Sequence, residues 1–325
     1  MRTKTFCLGI AGIVAVLAVS AAAVVWCLPE ERYMDREYPG WMQQRDAARA
    51  EGTEPEAVIL GDSRVKIGAW PKFLAEDVQN LALTGGTPLE MYYTLQDYLA
   101  HHPNPRMVLV VFAPVHYTRM DSYLGRTAYF HYLEEDRLRS TNREILQRDG
   151  VDYQGECDGY IRRLPPLYMK PALKSLFAPR TEENRRLYEE AAEDHGHIGA
   201  GWTTVTTAPV VPEETESRHF RPLPSQTYYM EQMIELCQTR GIPLHIGQAP
   251  MGAAGLQKLE ASGYLSEYRA YMDSFADRYH VDVDPNIPAY EDRFFADRSH
   301  LNEEGQKRYS AALKQMYFDG GGRAR

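Results

Sequence analysis

The chain has 325 residues, with 36 lysines and arginines against 45 aspartates and glutamates, for a formal net charge of −9. An acidic chain with no basic stripe interleaved with aromatics lacks the electrostatic footprint of a nucleic-acid binder and of a generally basic membrane-binding surface. Its 44% hydrophobic content is ordinary for a folded domain, and its length suits one large domain or one domain with a sizeable insertion.

The first element is a targeting segment. Arg2 and Lys4 precede an apolar run from Phe6 to Leu28 that carries no charge. A run of that length crosses a bilayer as a helix. With positive residues before it and Glu30-Glu31 after it, the N-terminus is expected inside and the bulk of the chain outside. Residues 1–29 are read as a cytoplasmic tip and transmembrane anchor, which makes the protein a single-pass cell-membrane protein with an extracytoplasmic domain. Ser20-Ala21-Ala22-Ala23 offers the small residues of a cleaved signal peptide, but the apolar run is long for one and continues past Ala23, which favours an uncleaved anchor. Val25 and Trp26 stand before Cys27, where a lipoprotein signal wants small residues. Residues 30–56 are polar, with a break at Pro39-Gly40, and read as a stalk and an entry helix leading into the domain.

From there the chain alternates strand and helix. Ala57–Leu60 reads as a strand and Pro71–Val78 as a short helix. Asn80–Leu83 reads as a second strand, and Pro88–His101 has helical apolar spacing at Met91, Leu95, Tyr98 and Leu99. Met107–Phe112 reads as a third strand. This is the pattern of a parallel sheet covered on both faces. The rhythm stops over residues 117–225, where Thr181–Asp194 is a charge-rich helical stretch and Gly199–Pro212 is loop-like; the region is read as an insertion capping the active-site end of the sheet. Alternation resumes with a helix Ser225–Arg240 closed by Gly241, a strand Pro243–Gln248, a helix Leu265–Tyr279 and a strand Val281–Val283. A last helix covers Asn302–Met316, and 319–325 reads as a disordered tail. The expected fold is a three-layer α/β/α sandwich over residues 57–318, with about five strands in a central parallel sheet.

Two short motifs carry the chemistry. Val58-Ile59-Leu60-Gly61-Asp62-Ser63-Arg64 is an apolar strand running into a tight turn, the usual place for a nucleophilic serine in an α/β fold. The plain structural reading of the same turn is a helix N-cap, and a helix starting at Ser63 directs free N–H groups to where an oxyanion forms. Far along the chain, Asp297-Arg298-Ser299-His300 places an acid and a histidine three apart. On a helical turn these share a face, so Asp297 can hold one imidazole nitrogen and leave the other as a base. Asn302 follows as a helix N-cap with acids in the first turn. Together they predict Ser63 as nucleophile, His300 as base and Asp297 as its orienting acid.

The pair resembles the SGNH (GDSL-type) hydrolase superfamily, in which a Gly-Asp-Ser block follows the first strand and an Asp-x-x-His block precedes the last helix. The resemblance covers roughly residues 56–117 and 226–315. It implies that the glycine of Asn80-Leu81-Ala82-Leu83-Thr84-Gly85-Gly86-Thr87, with Gly85 the expected donor, shares an oxyanion hole with the Ser63 amide. The family's Gly-x-Asn-Asp block has no counterpart after the third strand, where Ala113-Pro114-Val115-His116-Tyr117 stands without an asparagine. His116 lies at the C-terminal end of that strand, where ligands of parallel sheets bind, and is a candidate substitute donor or a structural histidine. Arg64 faces either an anionic substrate or a neighbouring acid.

The anchored arrangement resembles the SGNH-like proteins that work beside membrane-bound O-acyltransferases on envelope polymers. It implies acyl transfer to, or deacylation of, a cell-surface polysaccharide, with no cofactor. The competing expectation, raised by the missing asparagine, is a catalytically inactive binding or assembly subunit of such a complex. His195 and His197 lack convergent partners in sequence, and no Cys-x-x-Cys spacing exists, so no metal site is expected. Cys157 and Cys237 form either one disulfide or two buried thiols. The 22 tyrosines are mostly ordinary half-buried residues and only faintly favour stacking on sugars.

Overall fold

The computed structural model describes residues 2–52, 57–75, 77–199 and 210–319. In chain order the helices are α1 Arg2–Cys27, α2 Glu30–Tyr33, α3 Tyr38–Arg49, α4 Ser63–Gly68, α5 Pro88–His101, α6 Glu135–Asp149, α7 Gln154–Ile161, α8 Pro165–Ser175, α9 Thr181–Glu193, α10 Pro224–Arg240, α11 Ala253–Ser262, α12 Tyr264–Tyr279 and α13 Glu303–Leu313. The strands are β1 Ala57–Gly61, β2 Val78–Asn80, β3 Met107–Val111, β4 Leu244–Gly247, β5 Met251–Gly252, β6 Asp282–Val283 and β7 Ala289–Tyr290.

The protein is α/β with a parallel five-stranded sheet in the order β2-β1-β3-β4-β6. Ala57 pairs with Met107 and Gly61 with Val111, so β1 and β3 end side by side. All residues of both strands are buried, which is why they read as unbroken apolar runs rather than as alternating ones. Ile59, Leu109 and Val111 join Phe294, Tyr309 and Leu313 in one core, while the alternate residues Val58, Leu60, Val108 and Val110 point to the opposite face and are equally buried. A separate parallel pair, β5 with β7, was not expected.

The chain divides into two compact units. One comprises Met1–Pro39 and Leu124–Tyr188; the other, which holds both sheets, comprises Gly40–Tyr123 and Glu189–Arg325. The division falls inside the predicted insertion, so 124–188 groups with the N-terminal segment while 117–123 and 189–225 group with the sheet. In the first unit α1 packs on α8 and α6 on α7. Tyr129 stacks on Tyr168 at a centroid distance of 5.0 Å, and the Glu30 carboxylate accepts from His131, Arg163 and Tyr38.

α1 contains one segment, Phe6–Cys27, long and apolar enough to cross a membrane. The stalk is largely helical, as α2 and α3. The second strand lies earlier than expected and ends at Asn80, because the Asn80 side chain takes the Ala82 amide and turns the chain. Leu81 and Leu83 nevertheless continue along β1 by donating to the carbonyls of Ile59 and Gly61. The predicted helix at 71–78 is a single 3₁₀ turn, Pro71–Phe73. α11 was missed. α5 and α10 match their expected spans closely, and Gly241 closes α10 in the left-handed conformation. The last helix ends earlier than expected and passes into a wider π-type turn over Lys314–Phe318. None of the four cysteines, all among the described residues, forms a disulfide. Most of the loop expected at 199–212 and, Asp319 apart, the expected tail fall outside the described residues.

Candidate active site

The nucleophile turn is set by a close backbone approach. Gly61 has φ +152°, and a Cβ there would lie 1.9 Å from the Val111 carbonyl oxygen. Only glycine fits. Asp62 then caps α4: its Oδ1 accepts the Arg64 amide at 2.7 Å and its Oδ2 accepts the Ala113 amide at 2.5 Å. One carboxylate thus ties the first turn of α4 to the end of β3. At the other end of α4, the Asn80 Nδ2 donates to the carbonyls of Val65 and Ala69 at 3.1 and 2.9 Å, with Lys66 O at 3.3 Å. A fully buried lysine adds a third tie: Lys66 Nζ donates to Gly196 O at 3.1 Å, and burial pushes its pKa down to about 7. Neither Asn80 nor Lys66 was singled out in the sequence as holding the nucleophile helix.

Ser63 stands at the first position of α4, 9% exposed, with its Oγ 2.8 Å from His300 Nε2. His300 Nδ1 lies 2.8 Å from Asp297 Oδ2. A carboxylate can only accept, so Nδ1 carries the ring proton and Nε2 is left to accept the Ser63 hydroxyl. The three residues predicted from sequence therefore come together across 237 positions of chain.

The base loop differs from the helical turn expected. Residues 296–299 form a bend, closed by Phe295 bridging to Leu301 and by the Ala296 amide donating to the His300 carbonyl at 2.8 Å. Asp297 Oδ1 accepts the Ser299 and His300 amides, both at 2.8 Å. The spacing of three works because the aspartate folds its own backbone around itself, as Asx turns do, and not through helical periodicity. Burial by itself would raise the Asp297 pKa; the hydrogen bond and charge of His300 and the two amides outweigh it and hold the carboxyl at about 2. Asn302 caps α13 as expected, accepting the Gly305 amide at 3.0 Å.

Gly85 lies in a left-handed turn at φ +70°, and Gly86 packs so tightly that a Cβ there would meet the Gly61 carbonyl oxygen at 2.9 Å. The 83–86 turn therefore sits against the end of β1. Among the described residues, neither the Gly85 nor the Ser63 amide has a hydrogen-bond acceptor.

His116 sits on a 3₁₀ turn, Pro114–Tyr117, with Nε2 3.5 Å from Asp62 Oδ2. Burial, reinforced by the nearby Arg119 and Arg64 and opposed by Asp62, keeps its pKa below the usual histidine value. It backs the Asp62 carboxylate. Arg64 meets the neighbouring-acid reading: its guanidinium is buried and bonds to Glu214 at 2.6 Å. Beside it, Arg119 forms a two-pronged pair with Glu213, both contacts at 2.7 Å. Glu216 reaches Arg298 of the base loop at 3.1 Å. The segment 213–216 is therefore tied to the residue after the nucleophile, to the turn after β3 and to the base loop. No local signal in the sequence marked it, because each partner lies at least 80 residues away.

His197 donates from Nε2 to the Ile67 carbonyl and stacks on Trp70, and His102 donates from Nε2 to the Ala50 carbonyl. Among the described residues no group of three or more His, Cys, Asp or Glu side chains is placed to hold a metal. Comparison with protein-family models gives no match to the chain, and comparison with curated proteins gives none.

Proposed function

We propose that the protein is a serine acyl-transfer enzyme of SGNH type, an esterase or O-acetyltransferase. In this reading it is tethered by α1 and acts outside the membrane on a cell-surface polysaccharide or related polymer, in partnership with a membrane-bound O-acyltransferase. The observation that carries this is the unbroken pair of 2.8 Å hydrogen bonds from Ser63 through His300 to Asp297. An inactive assembly subunit has no need to keep that chain, or to spend Asp297 on three donors from its own loop. In this reading α5 and α10, which pack together and contact β1 and β4, form the third layer of the sandwich.

The mechanism follows from the geometry. Ser63 Oγ attacks the acyl carbonyl while His300 Nε2 takes the hydroxyl proton. The imidazolium that forms is held by Asp297. The Ser63 and Gly85 amides receive the oxyanion. His300 then returns the proton to the departing alkoxide, leaving acyl-Ser63. Water or a sugar hydroxyl, deprotonated by His300, attacks that ester and completes hydrolysis or transfer. The family's asparagine donor has no counterpart after β3, so the hole is one donor short, a loss of about 10²–10³ in rate.

The test is acetyl release from 4-nitrophenyl acetate by the full chain in detergent. Ser63→Ala and His300→Ala are expected to lose about 10⁶-fold in kcat. Equal rates for the wild type and both variants, on this ester and on an acetylated polysaccharide, would exclude the enzyme and leave the assembly subunit.

A further inference from the structure

The anchor helix is not bare along its whole length. From Phe6 to Ser20 every side chain of α1 is exposed; from Ala21 the helix is partly covered, and Val25 is fully buried. α8 packs on α1, so the contact falls on the turns from Ala21 onward. At a rise of 1.5 Å per residue the bare stretch spans only about 22 Å, short of a hydrocarbon core of about 30 Å. The whole 22-residue apolar segment spans about 33 Å. A membrane crossed by α1 must therefore include turns that α8 covers, and α8 is carried to the edge of the hydrocarbon.

The surface of α8 suits that depth. Within one helix and its flanks, Leu164, Leu167, Leu173 and Leu176 are 37–46% exposed, and Phe177 is 92% exposed. A single exposed leucine is unremarkable, but such a cluster beside an apolar anchor marks an interaction surface. Its buried side is Tyr168, Ala172 and Ser175. Exposed Lys170 and Lys174 lie among the leucines, and lysine stems lie along apolar surface while their ammonium groups reach headgroups. Trp26, 59% exposed near the end of α1, has the Arg163 guanidinium 6.0 Å from its ring. Tryptophan is enriched at the membrane–water boundary.

We propose that α8 with Leu176–Phe177 is an interfacial helix, seated in the outer headgroup boundary of the bilayer that α1 crosses. The unit formed by 1–39 and 124–188 then holds the membrane at two places, one spanning and one lying in its surface. The proposal rests on α1 being a membrane anchor, and its test separates the two. The full chain, with Cys7→Ala and Cys27→Ala, is reconstituted in phosphatidylethanolamine–phosphatidylglycerol vesicles and spin-labelled in turn at Ile13→Cys, Leu173→Cys, Phe177→Cys and Gln257→Cys. Accessibility to oxygen, which concentrates in lipid, is compared with accessibility to a water-soluble nickel chelate. The ratio at 173 and 177 is expected severalfold above that at 257, and below that at 13. A ratio at 177 equal to that at 257, with 13 in lipid, overturns the interfacial helix and leaves the anchor standing. Exclusion of both reagents at 177 means another protein surface covers it, which also overturns the proposal. A ratio at 13 equal to that at 257 overturns the anchor and the proposal together.

Discussion

The two halves of the candidate active site are built by opposite means. The nucleophile turn is held by the whole sheet: Gly61 against Val111, Asp62 on Ala113, Asn80 under α4, and Arg64 on Glu214. Those partners come from β3, β2 and a segment 150 residues away. The base loop is held mainly by itself, through Asp297 on its own two following amides and Ala296 on His300. Ser63 is buried, whereas the His300 and Asp297 side chains remain 22% and 17% exposed. A serine positioned by global packing and a base positioned by local hydrogen bonds fail differently: damage to the first unfolds the domain, and damage to the second stops the chemistry.

That contrast is open to breaking by substitution. The largest effect confined to chemistry is expected from Asp297→Asn, which leaves an amide where the ring N–H needs a carboxylate. The kcat for acetyl release should fall about 10⁴-fold, with a melting temperature within a few degrees of wild type. Gly61→Ala should do the reverse. Its methyl has nowhere to go against a backbone oxygen, so a loss of more than about 4 kcal/mol is expected, read as a collapse of the urea midpoint or of soluble expression. Asn80→Ala strips a buried donor from the carbonyls at the end of α4. It should cost about 2–3 kcal/mol and lower kcat only in proportion to the misplacement of Ser63. A full-strength catalytic domain in Gly61→Ala would show that the nucleophile turn does not depend on the sheet in this way.

Acid should act on the base loop selectively. The Asp297 carboxyl is depressed from 3.8 to about 2 in the folded protein. A depressed carboxyl stabilises the fold above its unfolded pKa, and the contribution is lost as pH falls from there through the folded value. It amounts to about 2 kcal/mol. Urea midpoints of the wild type and of Asp297→Asn should converge between about pH 4 and pH 2, while Asn80→Ala keeps a constant offset from wild type across the same window. A gap between wild type and Asp297→Asn that stays unchanged to pH 2 would break this account of the loop.

The same contrast explains what could be read from the sequence. Strands β1 and β3 were the most legible because fully buried parallel strands are short apolar runs between breakers, whereas β2, Val-Gln-Asn, shares only Asn80 with the strand expected there. Ser63, His300 and Asp297 were legible because each sits in a short motif whose chemistry is local. The partners of the nucleophile turn were not. Glu214 for Arg64 and Ala113 for Asp62 are tertiary choices that no spacing announces. Asn80 was read as the opening of a strand, whereas its side chain closes the strand and caps a helix. Asp297-x-x-His300 was recognised for a helical reason that the structure replaces with a self-folded bend: the two side chains meet as expected, through a different local conformation. Within 117–225 the charge-rich stretch read as helical is α9, but α6, equally charged and half-exposed, was not read, and nothing in composition signals that 124–188 groups with the N-terminal segment.

The most direct test of the central claim is covalent. The full chain is treated with a fluorophosphonate, which a hydroxyl attacks only when a neighbouring base activates it, and the peptide containing Ser63 is weighed. The account predicts one phosphonyl group on Ser63, abolished by Ser63→Ala, by His300→Ala and by prior denaturation in urea. Labelling elsewhere, or none under conditions where the wild-type fold is intact, would contradict it.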